Sequence, residues 1–474
     1  MKYEVVIGIE IHCELKTKTK MFSSAPLSFA SLPNSCVNEV DIALPGTLPC
    51  LNKYAVELAI RACTAMNCKI DSLIKFDRKN YYYSDLPKGY QITQQFHPIG
   101  SNGSVNIPTD NGTKAIRIER IHMEEDTAKQ FHNFNGTLID FNRAGTPLIE
   151  IVSKPDIRSA KEATSYIEML RTALYYLGVS DVKMEEGSMR CDINISMREV
   201  GTTTLGTRTE IKNLNSISNV SKAIESEIER QTKILEEGGK VTQETRRFDE
   251  ASRSTVAMRL KEGNVDYKYF PEPNIPPIQL SEEFITKVIE ELPQLPSERK
   301  NYYINECKLS TIDADILVNN KELSDFYNSV IKHTNEYKLA ANWTITELNA
   351  ALNKMNIKVV DNPLNPEYLA EMINMVTKGE ISSKQAKIVF EEMMLGKEPH
   401  SVVEAKGMKQ MSDEASILNL IATVLDNNAQ SILDFKAGKD RAVGFLVGQV
   451  MKASKGQANP ALTSKLIVEE LKKR

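Results

Sequence analysis

The sequence predicts a unit of mixed strands and helices, of α/β or α+β class, over about the first 290 residues, followed by a region that is helical throughout. Two observations support this division. The first part contains several stretches in which apolar and polar residues alternate, with stretches of helical spacing between them. The proline-rich segments PEPNIPPI and LPQLP then indicate a stiff connection, and the apolar stripes beyond them have helical spacing.

The composition is that of a globular chain with more than one domain. It has 474 residues, of which 41% are hydrophobic and 26% charged. No window approaches eighteen apolar residues, so we expect no membrane span, and the first strand begins near the N-terminus without a signal or transit peptide. The seven cysteines have no paired spacing, which is typical of reduced thiols in a cytoplasmic protein.

The stretch EVVIGIEIHCEL, residues 4–15, shows the clearest alternation. Its odd-numbered residues are apolar, whereas Glu10, His12 and Glu14 lie on the opposite face. This pattern predicts a β-strand with one buried face, on which the three polar side chains follow one another about 7 Å apart. On a single strand such a face is more often solvated surface than a functional site.

Later stretches repeat the alternation: RCDINISMR (190–198), RTEIK (208–212), LIEIV (148–152) and AIRIERIHMEED (115–126). The last of them changes phase near Glu119, which predicts a β-bulge, and it ends with Glu124, Glu125 and Asp126 together. Like charges on one sheet face repel each other unless a cation lies among them, and oxygen ligands suit Mg²⁺. The residues by themselves therefore predict a divalent-metal and phosphate site on a sheet.

Helical spacing predicts helices over residues 52–68, 156–177 and 218–237, with Asn52 as the N-cap of the first. The segment RKNYYYSDLPKGYQITQQ follows the first helix. Its tyrosines and Lys88 form either a stacking surface with a phosphate contact or a Tyr-rich strand with a lysine in its turn. The spacing does not decide between these interpretations.

The C-terminal end carries a local excess of positive charge, although the net charge of the chain is −4. From Lys436 onward there are nine lysines and arginines and three acidic residues. A basic patch of this kind is typical of surfaces that contact nucleic-acid phosphates. We therefore expect this end of the chain to face RNA.

Common nucleotide-binding and catalytic motifs are absent from the sequence. It contains no GxxxxGK[ST], no GxGxxG after a predicted strand, and no GxSxG or Cys–His arrangement of an acyl-transfer enzyme. If the protein uses ATP, a metal ion and side chains must hold the phosphates. Most histidines, His122 among them, lack metal-ligand spacing and are expected to be structural.

These stretches resemble the GatB family, the B subunits of glutamyl/aspartyl-tRNA amidotransferases (GatCAB). Specific matches are IGIEIHCELKTKTKMFSS, RKNYYYSDLPKGYQITQ, IHMEEDTAK, DFNRAGTPLIEIVSKPDIRS, MEEGSMRCDINISMR, EIKNLNS and GFLVGQVMKASKGQANP. They follow the family's order over essentially the whole chain. The resemblance implies an α+β fold with three parts: an antiparallel-sheet cradle similar to glutamine synthetase (1–292), an all-α helical domain (293–404) and a small helical tail similar to YqeY (405–474).

The resemblance also implies a reaction. In this family ATP phosphorylates the side-chain carboxylate of misacylated Glu-tRNA(Gln) or Asp-tRNA(Asn), and ammonia then displaces the phosphate. An amidase subunit, GatA, releases the ammonia from glutamine, and a small subunit, GatC, completes the heterotrimer. We therefore expect a carbon–nitrogen ligase subunit that uses ATP and Mg²⁺, binds misacylated tRNA and both partner subunits, and works in the cytoplasm away from any membrane.

Roles for individual residues follow from the matching motifs. The implied catalytic residues are Glu10, His12, Glu125, Glu150 and Glu210. The implied metal ligands are Glu10, His12, Glu124, Glu125 and Glu210. The implied contacts to nucleotide and phosphate are Lys79, Tyr83, Lys88, Arg190, Arg208 and Lys212. The basic surplus of the C-terminal end adds Lys452, Lys455 and Lys465 as expected contacts to tRNA.

The sequence departs from the family at one metal site. Many relatives bind zinc through two pairs of cysteines, but here Ser23 and Ser24 occupy the first pair's segment, and Cys36 has Glu39 three residues later. One thiol cannot make a closed tetrahedral site. We therefore predict that this chain holds no structural zinc.

Two other functions remain open at this stage. A non-catalytic subunit that only binds tRNA is disfavoured because a scaffold has no reason to crowd carboxylates on one sheet face. A stand-alone ATP-dependent ligase for a small carboxylic acid is disfavoured because a small substrate does not need the basic end or the long helical region.

Overall fold

The computed structural model describes residues 2–27, 31–260, 266–408, 414–436, 441–454, 458 and 460–473. The chain divides into two compact units, Met1–Pro296 and Ser297–Arg474. This division lies four residues beyond the predicted end of the cradle at residue 292, after the second proline-rich segment.

The first unit is built mainly from strands. Its strands are β1 (Tyr3–Glu14), β2 (Lys69–Ile70), β3 (Leu73–Ile74), β4 (Asp77–Asn80), β5 (Tyr90–Thr93), β6 (Gly100–Thr109), β7 (Gly112–Glu125), β8 (Lys129–Asn133), β9 (Gly136–Asp140), β10 (Pro147–Ser153), β11 (Met189–Glu199), β12 (Thr209–Leu214), β13 (Glu244–Asp249), β14 (Ser254–Leu260), β15 (Phe270–Pro271) and β16 (Ile278–Gln279). Its helices are α1 (Lys53–Ala65), α2 (Ala160–Tyr176), α3 (Ile217–Glu236) and α4 (Glu282–Glu290).

Within the described residues, the main sheet has nine strands in the order β14–β13–β12–β11–β1–β10–β7–β6–β2. The sheet is antiparallel, as expected, except that β12 and β13 are parallel. The exception has a simple cause: α3 separates these two strands in the sequence, and a helical crossover returns the chain in the same direction. The strand β1 lies at the centre of the sheet, between β10 and β11.

One face of this sheet packs against helices. The side chains of Ile7, Ile9, Ile11 and Cys13 are at most 1% exposed and belong to one core together with residues of α1, α2 and α3. The alternation predicted for β1 is therefore confirmed. The burial of the odd-numbered side chains leaves Glu10, His12 and Glu14 on the other face of the sheet.

The predicted β-bulge is also confirmed. On β7, Arg120 is opposite Val152 and Ile118 is opposite Ser153, so Glu119 is an additional residue in the pairing with β10. The bulge changes which residues of β7 face the helices, from even-numbered positions before it to odd-numbered positions after it. This change places His122 and Glu124 on the polar face.

The helices of the first unit begin at side-chain caps. Asn52 accepts hydrogen bonds from the backbone of Tyr54 and Ala55, as predicted, and α1 follows it. The helix α2 begins at Ala160, four residues later than predicted, because Ser159 is its N-cap. Asp156 lies before the helix and forms an ion pair with Arg117 at 2.6 Å.

The segment after β1, in which the resemblance led us to look for zinc-binding cysteines, is held by a buried ion pair. Lys20 and Asp41 are 3.0 Å apart, and their side chains are 0% and 2% exposed. Ser23, which stands in the segment of the first cysteine pair, donates a hydrogen bond of 2.7 Å to Asp41. The absence of zinc stays a prediction, but these polar contacts explain how the segment is fixed.

The second unit is helical. Its elements are α5 (Pro296–Asn305), α6 (Thr311–Val318), α7 (Lys321–Val330), α8 (Tyr337–Asn342), a π-helical segment (Trp343–Leu348), α9 (Asn349–Met355), a 3₁₀ turn (Val359–Asp361), α10 (Pro366–Thr377), α11 (Ser383–Met393), α12 (Pro399–Ala405), α13 (Glu414–Asp426), α14 (Ala429–Lys436), α15 (Arg441–Ala453) and α16 (Pro460–Lys473).

Its apolar residues form two separate cores. One core contains buried residues from Tyr303 to Val403, and the other contains buried residues from Ile417 to Leu471. The proposed boundary at residues 404 and 405 falls between them, and the three-part division stays a prediction. Among the described residues, no helix is both long and apolar enough to cross a membrane.

Candidate metal and phosphate site

A row of charged side chains crosses the polar face of the main sheet. His12 on β1 is opposite Arg190 on β11 and Glu150 on β10, and Glu150 is opposite His122 on β7. Residues directly opposite each other in an antiparallel sheet project from the same face. The register therefore brings together residues that are far apart in the sequence.

The first cluster of possible metal ligands is formed by His12, Glu124 and Glu150, whose donor atoms all lie within 4.8 Å of one another. The Nε2 atom of His12 lies 3.5 Å from Glu150 and 3.9 Å from Glu124. The Nε2 atom of His122 lies 3.3 Å from Glu150 and 3.6 Å from Glu124. The hydroxyl of Thr93 donates to Glu124 at 3.1 Å.

The two histidines balance the negative charge of this cluster. Burial by itself lowers the pKa of His122, but Glu150 and Glu124 raise it overall to about 9. The same carboxylates raise the pKa of His12 against the effect of its burial. Conversely, burial raises the pKa of Glu150, but the two histidines hold it well below its usual value. The carboxylates of this cluster are therefore stabilised by neighbouring positive charge.

The second cluster consists of Glu10, Asp192 and Glu210, from the adjacent strands β1, β11 and β12. Asn194 donates a hydrogen bond of 2.8 Å to Glu10. Lys212 lies 2.6 Å from Asp192 and 2.9 Å from Glu210. Burial, followed by the charge of Glu150, raises the pKa of Glu10.

The structure does not place all five implied metal ligands around one ion. Glu210 on β12 is separated from Glu124 on β7 by three intervening strands, which corresponds to about 19 Å at the usual strand spacing. The set is therefore divided, and His12 and Glu10 contribute to different clusters. Their two-residue separation along β1 places their Cα atoms about 7 Å apart.

Glu125 belongs to neither cluster. It follows Glu124 directly on β7, so its side chain points to the other side of that strand. There its carboxylate forms an ion pair with Lys88 and accepts a hydrogen bond of 3.0 Å from the backbone of Ile92. Its backbone carbonyl accepts a hydrogen bond of 2.8 Å from Gln91.

The implied phosphate ligands occupy different environments. Burial lowers the pKa of Lys79, but Glu124 and nearby groups raise it overall. The Nζ atom of Lys79 lies 5.0 Å from the ring centre of Tyr267. Lys212 lies in the second cluster. Arg208 is exposed in the loop before β12, and Tyr83 is 64% exposed in the loop between β4 and β5. The tyrosine segment is therefore a loop rather than a strand.

A further charged group adjoins the first cluster. Arg190 donates a hydrogen bond of 2.6 Å to Asp126, and Arg143 lies 3.7 Å from the same carboxylate. Burial and then the nearby Asp126 raise the pKa of Glu14 to about 7. Glu14 and both arginines line a cavity of about 810 Å³.

The basic tail is described only in part. Lys452 on α15 and Lys465 on α16 are exposed. Lys455, the third residue implied to contact tRNA, lies outside the described residues.

Sequence reasoning missed Asp192 and His122 as candidate site residues. Asp192 occupies an even position of the alternating stretch and is the register partner of Glu10, so the alternation itself carried the signal. His122 was expected to be structural because its sequence spacing matches no ligand motif. Its position opposite Glu150 depends on the pairing of β7 with β10.

Both clusters fit a divalent cation. A Mg²⁺ ion holds its ligands at about 2.0–2.1 Å, so two donor atoms on opposite sides of the ion are about 4 Å apart. The donor atoms of each cluster lie within 4.8 Å of one another and can reach this separation with small side-chain adjustments. The all-carboxylate second cluster has the ligand type that Mg²⁺ prefers. The buried carboxylates of the first cluster supply the negative charge that attracts a cation.

Comparison with known proteins shows which family the chain belongs to. A family model described as the GatB/GatE catalytic domain matches residues 5–286, and a second model, described as the GatB domain, matches residues 325–471. The chain belongs to the GatB family.

Curated members of this family resemble the chain over its full length. The chain is 50% identical over 476 residues to a protein of Bacillus licheniformis and 52% identical over 475 residues to proteins of Staphylococcus aureus strains JH9 and Newman. Each alignment covers 100% of both chains. All three relatives are named as the B subunit of an aspartyl/glutamyl-tRNA(Asn/Gln) amidotransferase.

Proposed function

We propose that this member of the GatB family is the B subunit of an aspartyl/glutamyl-tRNA(Asn/Gln) amidotransferase. In this proposal it transfers phosphate from ATP to the side-chain carboxylate of a misacylated Glu-tRNA(Gln) or Asp-tRNA(Asn). Ammonia then attacks the activated carbonyl carbon, and phosphate leaves. The observation that carries the proposal is the pair of ligand clusters on one face of the sheet, since their residues come from the motifs that match the family.

The proposal assigns the two clusters to divalent cations. His12, Glu124 and Glu150 hold one ion, and Glu10, Asp192 and Glu210 hold another. Bound Mg²⁺ supplies positive charge that stabilises the phosphates during transfer. Glu125 supports the site from the other side of β7 through its ion pair with Lys88, rather than as a metal ligand.

The cations of the site assist phosphate transfer directly. Lys79 and Lys212 lie beside the first and second clusters respectively. Fixed donors at these positions stabilise negative charge that develops on the transferred phosphoryl group. Because no glycine-rich phosphate-binding loop is present in the sequence, these side chains and the metal ions take over the role of such a loop.

The name of the relatives implies an assembly of several subunits that acts on tRNA. We propose that the partners are a GatA-like amidase, which releases ammonia from glutamine, and a small GatC-like subunit. The basic surface of α15 and α16 contacts the tRNA. The expected cytoplasmic location stays a prediction.

Two reactions test the proposal. The purified chain with its partner subunits is expected to convert Glu-tRNA(Gln) or Asp-tRNA(Asn) to the amide with ATP, Mg²⁺ and glutamine, and ammonia should replace glutamine. The chain alone is expected to show no glutaminase activity, since its sequence lacks a nucleophile arrangement. A complex that binds charged tRNA but never hydrolyses ATP would instead indicate a non-catalytic tRNA-binding subunit, and activity on a free amino acid would indicate a small-molecule ligase.

A further inference from the structure

A cavity of about 810 Å³ begins where the polar face of β1 ends. Glu14 and Arg190 line the end of the cavity that adjoins the first cluster, because Glu14 follows His12 on the same face and Arg190 is opposite His12. The hairpin of β8 and β9 contributes Lys129 and Phe131 to the lining. This volume lies within the range of about 300–1,000 Å³ that is usual for small-molecule sites.

The charges around the cavity do not suit a polyanion. Five carboxylates and four cationic side chains are among its lining residues. A nucleoside triphosphate placed here would meet more negative than positive groups. A ligand that carries both a positive and a negative group matches this lining better.

Glu14 is the half-buried carboxylate at the inner end of the cavity, where Arg190 and Arg143 compensate part of its charge. Arg190 and Arg143 both lie beside Asp126, at 2.6 Å and 3.7 Å. The neighbours of Glu14 among the described residues act on it through charge, and none donates a side-chain hydrogen bond to it. A half-buried carboxylate in this position favours a cationic ligand group.

We propose that the cavity receives the aminoacylated 3′-terminal nucleotide of the tRNA and that Glu14 binds the α-ammonium group of its amino acid. This inference rests on the proposed function. The distances agree with it, since Glu14 and His12 are two residues apart on one strand face, about 7 Å between Cα atoms. From the α-nitrogen to the side-chain carboxyl carbon, aspartate spans about 3–4 Å and glutamate up to about 5 Å at ordinary bond lengths, so the carboxylate reaches towards the first cluster.

The outer part of the cavity suits the terminal base. Phe131 is 44% exposed on β8, and Lys129 lies 4.9 Å from the centre of its ring. An exposed aromatic ring beside a cation is a common platform for an unpaired base and its phosphate. Glu14 therefore recognises the amino acid, and Phe131 recognises the nucleotide irrespective of its amino acid.

The test compares Glu-tRNA with N-acetyl-Glu-tRNA, because acetylation removes the positive charge of the α-amino group. Binding is measured without ATP, and amidation with ATP, on the chain assembled with its partner subunits. The wild type is expected to bind the acetylated form about tenfold or more weakly. Glu14→Gln is expected to lose this discrimination by weakening the binding of Glu-tRNA to the level of the acetylated form.

Two further variants separate the effect of the Glu14 charge from a general effect of substitution and from the effect of the Phe131 ring. Glu168→Gln, an exposed substitution on α2 beneath the opposite face of the sheet, is expected to keep the full discrimination. Phe131→Ala is expected to weaken the binding of both tRNAs by the same factor. Since glutamine has the size of glutamate, the bulk of the acetyl group acts equally on the wild type and on Glu14→Gln.

Equal binding of both tRNAs by the wild type, or unchanged discrimination in Glu14→Gln, would overturn the inference. A loss of ATP affinity in Glu14→Gln, with the preference for Glu-tRNA over N-acetyl-Glu-tRNA intact, would also overturn it, because that result would assign the cavity to ATP. Failure of the proposed function gives a different pattern. In that case the wild type amidates no charged tRNA with ATP, whatever its preference between the two forms in the binding measurement.

Discussion

His12 on β1 and Glu150 on β10 are directly opposite each other, and Nε2 of His12 lies 3.5 Å from the carboxylate of Glu150. His122 lies 3.3 Å from the same carboxylate. Glu150 therefore holds two imidazoles on one side of the sheet and is the centre of the first cluster. Its removal is expected to affect the metal site and both histidines at once.

The variant Glu150→Gln is expected to lose affinity for Mg²⁺ by at least about 10–100-fold, the loss that even an outer partner of a metal ligand causes. Isothermal titration with Mg²⁺ and with Mn²⁺ measures this change. Burial lowers the pKa of His122, and Glu150 is the strongest of the charges that raise it to about 9, so His122 should titrate at lower pH in the metal-free variant. Unchanged metal affinity would remove Glu150 from the site, and Glu168→Gln is the matched control.

The variant Glu210→Gln tests the second cluster. It keeps the size of the side chain and removes a charge from the group formed with Glu10 and Asp192. Formation of the acyl phosphate is expected to fall by orders of magnitude, since metal charge contributes several kcal/mol to phosphate transfer. The melting temperature of the metal-free protein should be unchanged or higher because crowding of like charges is relieved.

The ion pair of Glu210 with Lys212 at 2.9 Å supports the opposite expectation, in which Glu210 only stabilises the sheet. That role requires a lower melting temperature with near-normal tRNA-dependent ATP hydrolysis. Measurement of both quantities on this one variant decides between the two roles. Binding of tRNA should change little in either case.

The variant Lys20→Met is expected to destabilise the first unit by about 3–5 kcal/mol, since it leaves the carboxylate of Asp41 buried and unpaired. Unfolding in urea measures the difference. The double variant Lys20→Met with Asp41→Asn should recover part of the loss, because the buried charge is also removed. Lys161→Met, which breaks an exposed pair with Asp110, should cost less than about 1 kcal/mol. An equal loss of stability for both lysine variants would mean that burial of the pair of Lys20 with Asp41 adds nothing to its effect on stability.

Glu227 on α3 gives the stability a dependence on pH. It is fully buried and pairs with Arg230 at 2.6 Å and with Thr255 at 2.7 Å. Burial raises its pKa, but Arg230 and the other donors lower it overall below 4.5. Its contribution is therefore present above pH 4.5 and is lost as the pH falls through the lowered pKa of the folded state.

Accordingly, Glu227→Gln is expected to cost about 2 kcal/mol at pH 7. The difference from the wild type should shrink as the pH falls below 4.5. Thermal unfolding of both proteins between pH 7 and pH 3 measures this convergence. A difference that stays constant over this range would mean that the ionised carboxylate contributes nothing.

A chain that ends at Met408 is expected to bind tRNA more weakly and to retain its metal affinity. The cut leaves the core from Tyr303 to Val403 intact and removes the core from Ile417 to Leu471 with its basic surface. Each lost phosphate contact should reduce the slope of log affinity against log salt by about one. Equal salt slopes for the full and shortened chains would exclude the tail from the tRNA interface.

The alternation of apolar and polar residues was sufficient to predict which residues of β1 face the core, and the phase change near Glu119 was sufficient to predict the bulge. Both depend on the two-residue period of a strand, which is a local property. The cap at Ser159 was missed because Asp156 also precedes the helical spacing. Local patterns place the end of a helix only to within a few residues.

What the sequence by itself determined was the face of each strand on which its carboxylates lie and, through its motifs, membership of the GatB family. What only the tertiary structure decided was which carboxylates meet. The strand order separates Glu210 from Glu124 by three strands and divides the expected metal ligands into two clusters. The pairing of β11 with β1 adds Asp192 to the second cluster, and the pairing of β7 with β10 brings His122 beside the first. The physical reason is that strand order and register arise from contacts between distant segments, which a pattern along one strand does not encode.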